Sequence, residues 1–333
     1  YRFTFQYDTG TGGLANGAGT LVFNKSSGEY TVTLTSGPIE GFGILDTGGA
    51  DASAFVEHSP QVTTASLSPT FHVQFTGVTG PNSTVNYNLD STPPNDGLPN
   101  TFTPGELLTA GTGTVQVSSA AAGVGGNTIQ GNQGEVLDFN LYATNPGATT
   151  GLAPTASSTS MFLTFDTVAA GVEDMIIILK LMDPDTGEFT TRAIVVSNSD
   201  LITGPRNNDA DLVNAPPLPE PYQNITLDNN DGFLVIESND YNGVGENYVI
   251  VGAQIAAGDS GIVGTGINFN PVVGAGGASV GTQSFSTDSH DGPFKITSVG
   301  FLTESTDDQQ ATIEFDVTIT DGDGDSVTQT DVT

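Results

Sequence analysis

The segment DMIIILKLMDPDTGEFTTRAIVVS, residues 174–197, carries the clearest structural signal in the chain. Residues 176–181 form an almost unbroken apolar run, which is typical of a β-strand covered on both faces. A buried helix is the rival structure, but the short length and the β-branched side chains favour a strand. Pro184 and Gly187 then stand at positions suited to chain reversal, and residues 189–197 run back. We therefore predict a β-hairpin at the core of the middle region.

Similar short strands fill the rest of the sequence. Examples are YRFTFQYD and EYTVTLTS near the N-terminus, GEVLDFNLYA from residue 134 and PFKITSVGF from residue 293. Residues 24–28 are predicted to form a hairpin turn between two such strands. No window of about eleven residues shows helical periodicity, and PGELLTA at residues 104–110 is the only short helical candidate. The predicted fold is all-β, with antiparallel β-sandwich or jelly-roll domains and very little helix.

The 333 residues are enough for two or three domains of ordinary size. We predict an N-terminal β-sandwich unit over residues 1–111, whose last part includes a long surface loop at residues 91–104. A larger β-sandwich or jelly-roll unit is predicted over residues 112–333. Within it, the prolines of residues 215–222 indicate a stiff segment that crosses the surface, with a domain linker as the alternative.

The composition is acidic but sparsely charged. There are 38 Asp and Glu residues against 6 Lys and Arg, the net charge is −32, and charged residues make up only 13% of the chain. Such a surface repels phosphates, so nucleic acid and direct membrane binding are not expected, and no apolar run is long enough for insertion. It attracts divalent cations, although acidity that only maintains solubility is the alternative. Cysteine is absent, which excludes disulfides and thiolate chemistry.

The last hairpin contains the densest group of carboxylates, in a loop that reads DGDGD between two alternating strands. Asp321, Asp323 and Asp325 repel one another unless a cation neutralises them, and Ca²⁺ accepts about six to eight oxygen ligands. An EF-hand is excluded because Ser326 and Val332 stand where Gly and a bidentate Glu are expected. We predict a calcium site here, with a solvated Asp-Gly turn as the alternative.

Three further clusters offer carboxylate and amide oxygens of the kind that Ca²⁺ prefers. The turn of the central hairpin contributes Asp183, Asp185 and Glu188. Another cluster comprises Asp228, Asn230, Asp231 and Asp240, together with Asn229, Glu237 and Asn239. The last comprises Asn207, Asn208, Asp209 and Asp211. The alternative for all three is ordinary turn chemistry, which also selects Asp, Asn and Gly.

A family resemblance rests on five segments, GEVLDFNLYA, MFLTFD, DMIIILKLMDPDTGEFTTRAIVV, LDNNDGFLVIESNDYNGVGENYVIVGAQI and FDVTITDGDGDS. Together they resemble extracellular parts of the very large, type I secreted RTX-family adhesins of Gram-negative bacteria. The resemblance covers most of the chain from about Gly134 onward and, more weakly, the N-terminal strands. The glycine-rich nonapeptide repeat of RTX proteins is missing, so the chain does not resemble their secretion-signal region.

The resemblance implies a role in cell adhesion and biofilm formation at the bacterial surface. Such proteins are strings of β-sandwich domains that fold and stiffen on external calcium, so neighbouring domains of the same long chain are the implied partners. The expected function is a non-catalytic, calcium-stabilised structural or extender module. A glycan- or peptide-binding module is the first alternative and an extracellular hydrolase is the second.

The residues that favour ligand binding are aromatic and amide side chains in one region. They are Tyr222, Tyr241, Asn242, Asn247 and Tyr248, because a tyrosine offers both a stacking ring and a hydroxyl. Tyrosines that merely cover the ends of a sheet are the alternative.

No catalytic residue is predicted. Residues 258–261 read GDSG, as in some serine proteases, but no histidine stands in a recognisable context to act as a base. A pair of carboxylates for glycoside hydrolysis is defined by a distance, which the sequence does not give.

Overall fold

The computed structural model describes most of the middle of the chain and shorter parts of its ends. The described residues are 2–8, 14–23, 30–36, 43–46, 55–59, 61–79, 87–91, 96–109, 115–118, 121–126, 128–166, 174–203, 218, 222, 225, 227, 231–274, 277–285, 293–303, 315–320, 323 and 326–332.

The described residues form 22 strands, one α-helix of a single turn and four short 3₁₀ turns. The first eleven strands are β1 (Arg2–Asp8), β2 (Leu14–Phe23), β3 (Tyr30–Ser36), β4 (Gly43–Asp46), β5 (Phe55–Ser59), β6 (Val62–Ser68), β7 (Phe71–Thr79), β8 (Thr101–Phe102), β9 (Val115–Ser118), β10 (Ala121–Val124) and β11 (Glu135–Tyr142). The others are β12 (Ser160–Asp166), β13 (Met175–Met182), β14 (Phe189–Val196), β15 (Ile202–Thr203), β16 (Gly232–Ile236), β17 (Val249–Ala257), β18 (Val263–Asn268), β19 (Thr282–Ser284), β20 (Lys295–Thr303), β21 (Phe315–Thr320) and β22 (Ser326–Val332). The helix is α1 (Ser238–Tyr241).

This content confirms the all-β prediction. Residues 104–109, which held most of the short helical candidate, are not helical, and α1 lies in a segment where no helix was predicted. No helix in the described part of the chain is long and apolar enough to cross a membrane.

The contacts divide the chain into two units. One comprises residues 1–43 and 304–333, and the other comprises residues 44–303. The first unit contains the antiparallel sheet β1-β2-β3 and the antiparallel pair β21-β22. The pairing of β2 with β3 and of β21 with β22 confirms both predicted terminal hairpins.

The larger unit is built from two sheets. One has the strand order β19-β18-β14-β13-β17-β11-β7-β6-β5, with β8 paired to β18, and is here called the large sheet. The other has the order β15-β16-β12-β20-β10-β9, with β4 paired to β20, and is here called the small sheet. Most pairs are antiparallel, but β18 runs parallel to both β14 and β8. Strands β5–β7 precede the predicted boundary at residue 111, yet they share the large sheet with strands that follow it.

The two sheets pack face to face, as in a sandwich. Phe71 and Phe139 of the large sheet contact Phe301 of the small sheet, with ring centroids 5.4 and 5.9 Å apart. The same apolar cluster takes in buried side chains from β13, β17, β12 and β16. The core therefore lies between the sheets, where alternate residues of each strand meet.

The central strand β13 is covered on both faces. Met175, Ile177 and Leu179 belong to the core between the sheets, whereas Ile176 and Ile178 belong to a second apolar cluster on the outer face. All five side chains are at most 1% exposed. The predicted doubly covered strand and its hairpin with β14 are confirmed.

A buried ion pair joins three neighbouring strands on that outer face. Lys180 Nζ lies 2.8 Å from Asp138 Oδ1 and also donates to Asn140 Oδ1 at 2.8 Å. Gln254 Nε2 donates to Asp138 Oδ2 at 2.6 Å. Both charged residues are 8% exposed. Because Asp138, Lys180 and Gln254 lie on β11, β13 and β17, the pair holds these strands in one register.

Removal of this buried cation is expected to destabilise the protein strongly. Lys180→Met leaves the Asp138 carboxylate buried without its countercharge, which costs about 3–5 kcal/mol of unfolding free energy. Lys295→Met is the matched control, because the Lys295–Asp166 pair is longer, at 3.7 Å, and more exposed. Urea unfolding monitors both variants. If the double variant Lys180→Met/Asp138→Leu recovers none of the loss, the ion pair is not its cause.

Candidate metal centre

The turn of the central hairpin uses its first carboxylate to fix its own backbone. Asp183 Oδ1 accepts hydrogen bonds from the N–H groups of Asp185, at 2.8 Å, and Thr186, at 3.2 Å. The bond from the Asp185 N–H is the main cause that holds the pKa of Asp183 below its ordinary value. Asp185 Oδ2 accepts from Asn247 Nδ2 at 2.9 Å. In the described part of the chain, Asp183, Asp185 and Glu188 do not form a group of converging carboxylates.

Asp240 and Glu237 cap helix α1 through a reciprocal pair of hydrogen bonds. Asp240 Oδ2 accepts from the Glu237 N–H at 2.7 Å, and the Glu237 carboxylate accepts from the Asp240 N–H. Both residues also attach the chain after β18, because Ser279 Oγ donates to Asp240 Oδ1 and the Gly274 N–H donates to Glu237 Oε2. Both oxygens of the predicted metal ligand Asp240 thus have protein donors.

Several predicted cation ligands lie outside the described residues, namely Asn207, Asn208, Asp209, Asp211, Asp228, Asn229, Asn230, Asp321 and Asp325. Asp231 is half-buried just before β16, and Asp323 is exposed in a turn. The calcium sites proposed on these clusters stay predictions.

Two of the predicted ligand-binding tyrosines are buried. Tyr222 is 0% exposed and packs against Phe162 and Phe233, with ring centroids 5.5 Å away in both cases. Tyr241 is 1% exposed, and its hydroxyl donates to the Thr159 carbonyl at 3.0 Å. Neither ring presents a face on which a ligand could stack, because each one fills an apolar cluster.

The other ligand-binding candidates lie between α1 and β17 and form a network with Arg192 of β14. The Arg192 guanidinium binds Glu246 through two bonds of 2.7 Å and lies 5.1 Å from the centroid of the Tyr248 ring. The bond from Arg192 is the main cause that lowers the pKa of Glu246 to about 2. Asn242 exchanges two bonds of 3.0 Å with the Tyr248 backbone, and Asn247 binds Asp185 as described above. The structure thus brings the tyrosine region and the hairpin turn together.

The GDSG segment forms a tight turn. Ser260 is 3% exposed, so its hydroxyl does not face solvent. Tyr87 Oη donates to the Ser260 carbonyl at 2.6 Å. The His58 and His72 rings bind the hydroxyls of Thr64 and Ser66, respectively.

A different acidic cluster lies in residues 87–109, a segment called here the strap. Its regular structure is limited to a 3₁₀ turn at Leu89–Ser91 and the two-residue strand β8, and residues 92–95 lie outside the described part. The strap folds back on itself through bonds from the Leu89 N–H to the Pro99 carbonyl and from the Thr109 N–H to the Tyr87 carbonyl. This return brings acidic residues from its beginning, middle and end together.

Asp90, Asp96 and Glu106 each place one carboxylate oxygen within 4.8 Å of the other two. Within the described residues, this is the one group of three or more Asp, Glu or His side chains that converges so closely. Protein donors orient the carboxylates. The Gly97 N–H donates to Asp90 Oδ1 and the Leu98 N–H donates to Asp96 Oδ1, both at 2.8 Å, and Thr103 Oγ1 donates to Asp96 Oδ2 at 2.8 Å.

Glu106 is the buried member of the cluster, with 0% exposure. Its Oε2 accepts from the Thr103 N–H at 2.8 Å, but in the described structure Oε1 is buried without a hydrogen-bond partner. Burial is the main cause that raises the pKa of Glu106, and the charges of Asp96 and Asp90 raise it further. An uncompensated buried carboxylate is costly unless a cation or a proton neutralises it.

The basic residues described in the structure do not supply that cation. Lys180, Arg192 and Lys295 are the basic residues with described side chains, and each forms an ion pair with another carboxylate. The cluster therefore concentrates negative charge at the point where one oxygen is buried and unbound.

The dimensions of the cluster suit Ca²⁺. Calcium–oxygen distances of about 2.3–2.6 Å allow one ion to contact oxygens that lie up to about 5 Å apart. Three carboxylates from irregular backbone supply hard oxygen ligands, and backbone carbonyls and water complete the coordination of calcium sites. Mg²⁺ requires a smaller and nearly ideal octahedron, which a site assembled from a loop supplies less readily.

Sequence reasoning missed this cluster because its members stand far apart along the chain. The composition of residues 91–104 predicts only a surface loop, and the path of such a loop, which separates Asp90 from Glu106, does not follow from its sequence. The one available signal was Glu106 itself, an acidic residue directly followed by two leucines in a short apolar stretch.

Comparisons with protein-family models, with curated proteins and with solved structures found no match for this chain. The chemistry of the site therefore carries the functional argument.

Asp240 gives the stability of the protein a defined pH dependence. Burial is the main cause that raises its pKa from 3.8 to about 6 in the folded protein. The folded state then binds the proton more tightly than the unfolded state, so the unfolding free energy falls as pH rises from about 4 to about 6. The expected loss is roughly 3 kcal/mol, which Asp240→Asn lacks.

Urea unfolding in chelator across this pH range compares the slopes of the wild type, Asp240→Asn and Glu57→Gln. Glu57 is exposed on β5 and serves as the control. Equal slopes for wild type and Asp240→Asn contradict the assignment.

Proposed function

We propose that the chain is a non-catalytic, calcium-stabilised structural module of a large bacterial surface adhesin. The observation that carries this proposal is the buried Glu106 carboxylate, which has an unbound oxygen and faces Asp90 and Asp96. A bound Ca²⁺ removes the repulsion among the three carboxylates and satisfies the buried oxygen. The ion then stabilises the folded state because the unfolded chain does not assemble the site.

The charge and the family resemblance support an extracellular location. A protein with a net charge of −32 and few basic residues requires external cations to balance its carboxylates. Extracellular calcium modules bind with dissociation constants of about 10⁻⁴–10⁻³ M, so they are filled outside cells. The sandwich architecture and the resemblance to secreted RTX adhesins support the same assignment.

The contribution of the module is mechanical on this proposal. A continuous core between two sheets and a buried ion pair across three strands make residues 44–303 resistant to local deformation. Calcium fixes irregular backbone that lacks regular hydrogen bonding. In a string of similar domains, each such module would transmit load between its neighbours only when calcium is present.

Calcium is expected to raise the melting temperature through Glu106. At a hundredfold excess over its dissociation constant, the ion adds about 2.7 kcal/mol, or roughly 5–10 °C for a unit of this size. Magnesium at matched ionic strength and chelator give the reference temperatures. The wild type and the exposed control variant Glu57→Gln gain the full shift, whereas Glu106→Gln loses it.

Two results contradict parts of the proposal in different ways. Equal melting of the wild type in calcium, magnesium and chelator contradicts calcium stabilisation altogether. A full calcium shift in Glu106→Gln assigns the stabilising ion to another site, such as the predicted loop that contains Asp323.

A further inference from the structure

The strap covers the outer apolar face of the large sheet. Tyr87, Leu89, Phe102 and Leu108 are at most 4% exposed, and they belong to the second apolar cluster. Their partners in that cluster include Val136, Ile176, Ile178, Ala193, Val195 and Ala256 of the large sheet. Opening of the strap would expose this face to water.

Little regular structure holds the strap closed. Within its described residues, regular pairing is limited to β8 with β18, over two residue pairs. Side chains of the large sheet supply other attachments, and they flank Glu106. Thr191 Oγ donates to the Glu106 carbonyl at 2.8 Å and accepts from the Gly105 N–H at 2.9 Å. Segments with few regular hydrogen bonds are the first to open locally.

Gln254 attaches the strap on the other side of Glu106. Its Oε1 accepts from the Leu108 N–H, and its Nε2 donates to the Leu108 carbonyl, both at 2.9 Å. The same Nε2 donates to Asp138, the partner of Lys180. The end of the strap that bears Glu106 is therefore fixed to the buried ion pair, while Asp90 and Asp96 lie on the part that folds back over it.

We propose that a cation bound by Asp90, Asp96 and Glu106 holds the strap closed. The strap covers the outer apolar face when the ion is bound and opens when the ion is lost. Tyr87 at the beginning of the strap and β8 in its middle have attachments of their own, to the Ser260 carbonyl and to β18. All three carboxylates belong to the strap, so without the ion their repulsion opposes the return that brings Asp90 and Asp96 next to Glu106. With the ion bound, the attachment at Thr191 and Gln254 extends through Glu106 to Asp90 and Asp96. This inference rests on the calcium site of the proposed function and adds what the site controls.

Hydrogen exchange of the wild-type protein tests directly whether the cation holds the strap closed. Peptides that cover residues 87–109 are compared in calcium and in chelator, with peptides of β13 as the internal reference. Calcium at a hundredfold excess over its dissociation constant is expected to slow exchange of the strap amides about 100-fold. The β13 amides exchange only when the whole unit unfolds, so they slow by a similar factor, but in chelator they still exchange much more slowly than the strap. An apolar fluorescent dye is expected to bind more strongly in chelator, because the outer face is exposed.

Two variants distinguish closure of the strap from the binding of calcium. Glu106→Gln removes the calcium effect on exchange. Thr191→Val keeps all three carboxylates but removes the attachment beside Glu106, so it is expected to bind calcium about tenfold more weakly and to leave the strap less protected. Thr190→Val, one residue earlier on β14, is the control and keeps wild-type values.

The outcomes distinguish this inference from the proposed function. Calcium could bind through Glu106 and raise the melting temperature while hydrogen exchange of the strap is the same in calcium and in chelator. In that case the cation does not hold the strap closed, but the proposed calcium-stabilised module stands. If calcium does not bind the wild type, both are wrong.

Discussion

The structure depends on how the chain manages a large excess of negative charge. With 38 acidic and 6 basic residues, most carboxylates find no basic partner in the chain, whatever the fold. Exposed carboxylates remain solvated at little cost, but a carboxylate enters the interior only if something compensates it. Three of the four described acidic residues that are buried in the larger unit illustrate this constraint. Asp138 has Lys180, Asp240 has the N–H of Glu237 and the hydroxyl of Ser279, and Glu106 has the N–H of Thr103 and one oxygen without a hydrogen-bond partner in the described structure.

These three buried carboxylates lie in successively less regular parts of the fold. Lys180 and Asp138 occupy the centre of the large sheet, where regular strands fix the geometry. Asp240 closes a single helical turn at the end of β16. Glu106 lies in a strap with almost no regular structure, and there a cation that gathers oxygens from different parts of the loop has most to contribute. The proposed calcium dependence is thus a consequence of where the chain lacks both basic residues and backbone pairing.

The alternation of apolar and polar residues predicts the strands and hairpins of this fold. The apolar run of β13, its hairpin with β14 and the terminal hairpins follow from alternation and turn residues. The sharing of one sheet by strands on both sides of residue 111 was not predictable, because β7 pairs with β11 across a long loop. The candidate site was missed for the same reason. Asp183 and Glu188 are close in sequence and were predicted to share an ion, whereas Asp90 and Glu106 meet only through the folded strap. Burial of Tyr222 and Tyr241 likewise depends on long-range packing, which local composition does not record.

Calcium bound at Asp90, Asp96 and Glu106 can be located most directly by anomalous diffraction at long wavelength, in crystals grown with millimolar CaCl₂. We expect an anomalous peak within about 2.3–2.6 Å of oxygens from Asp90, Asp96 and Glu106, with Glu106 Oε1 among the ligands. Well-ordered carboxylates without a peak between them, in crystals that show calcium elsewhere, would contradict it.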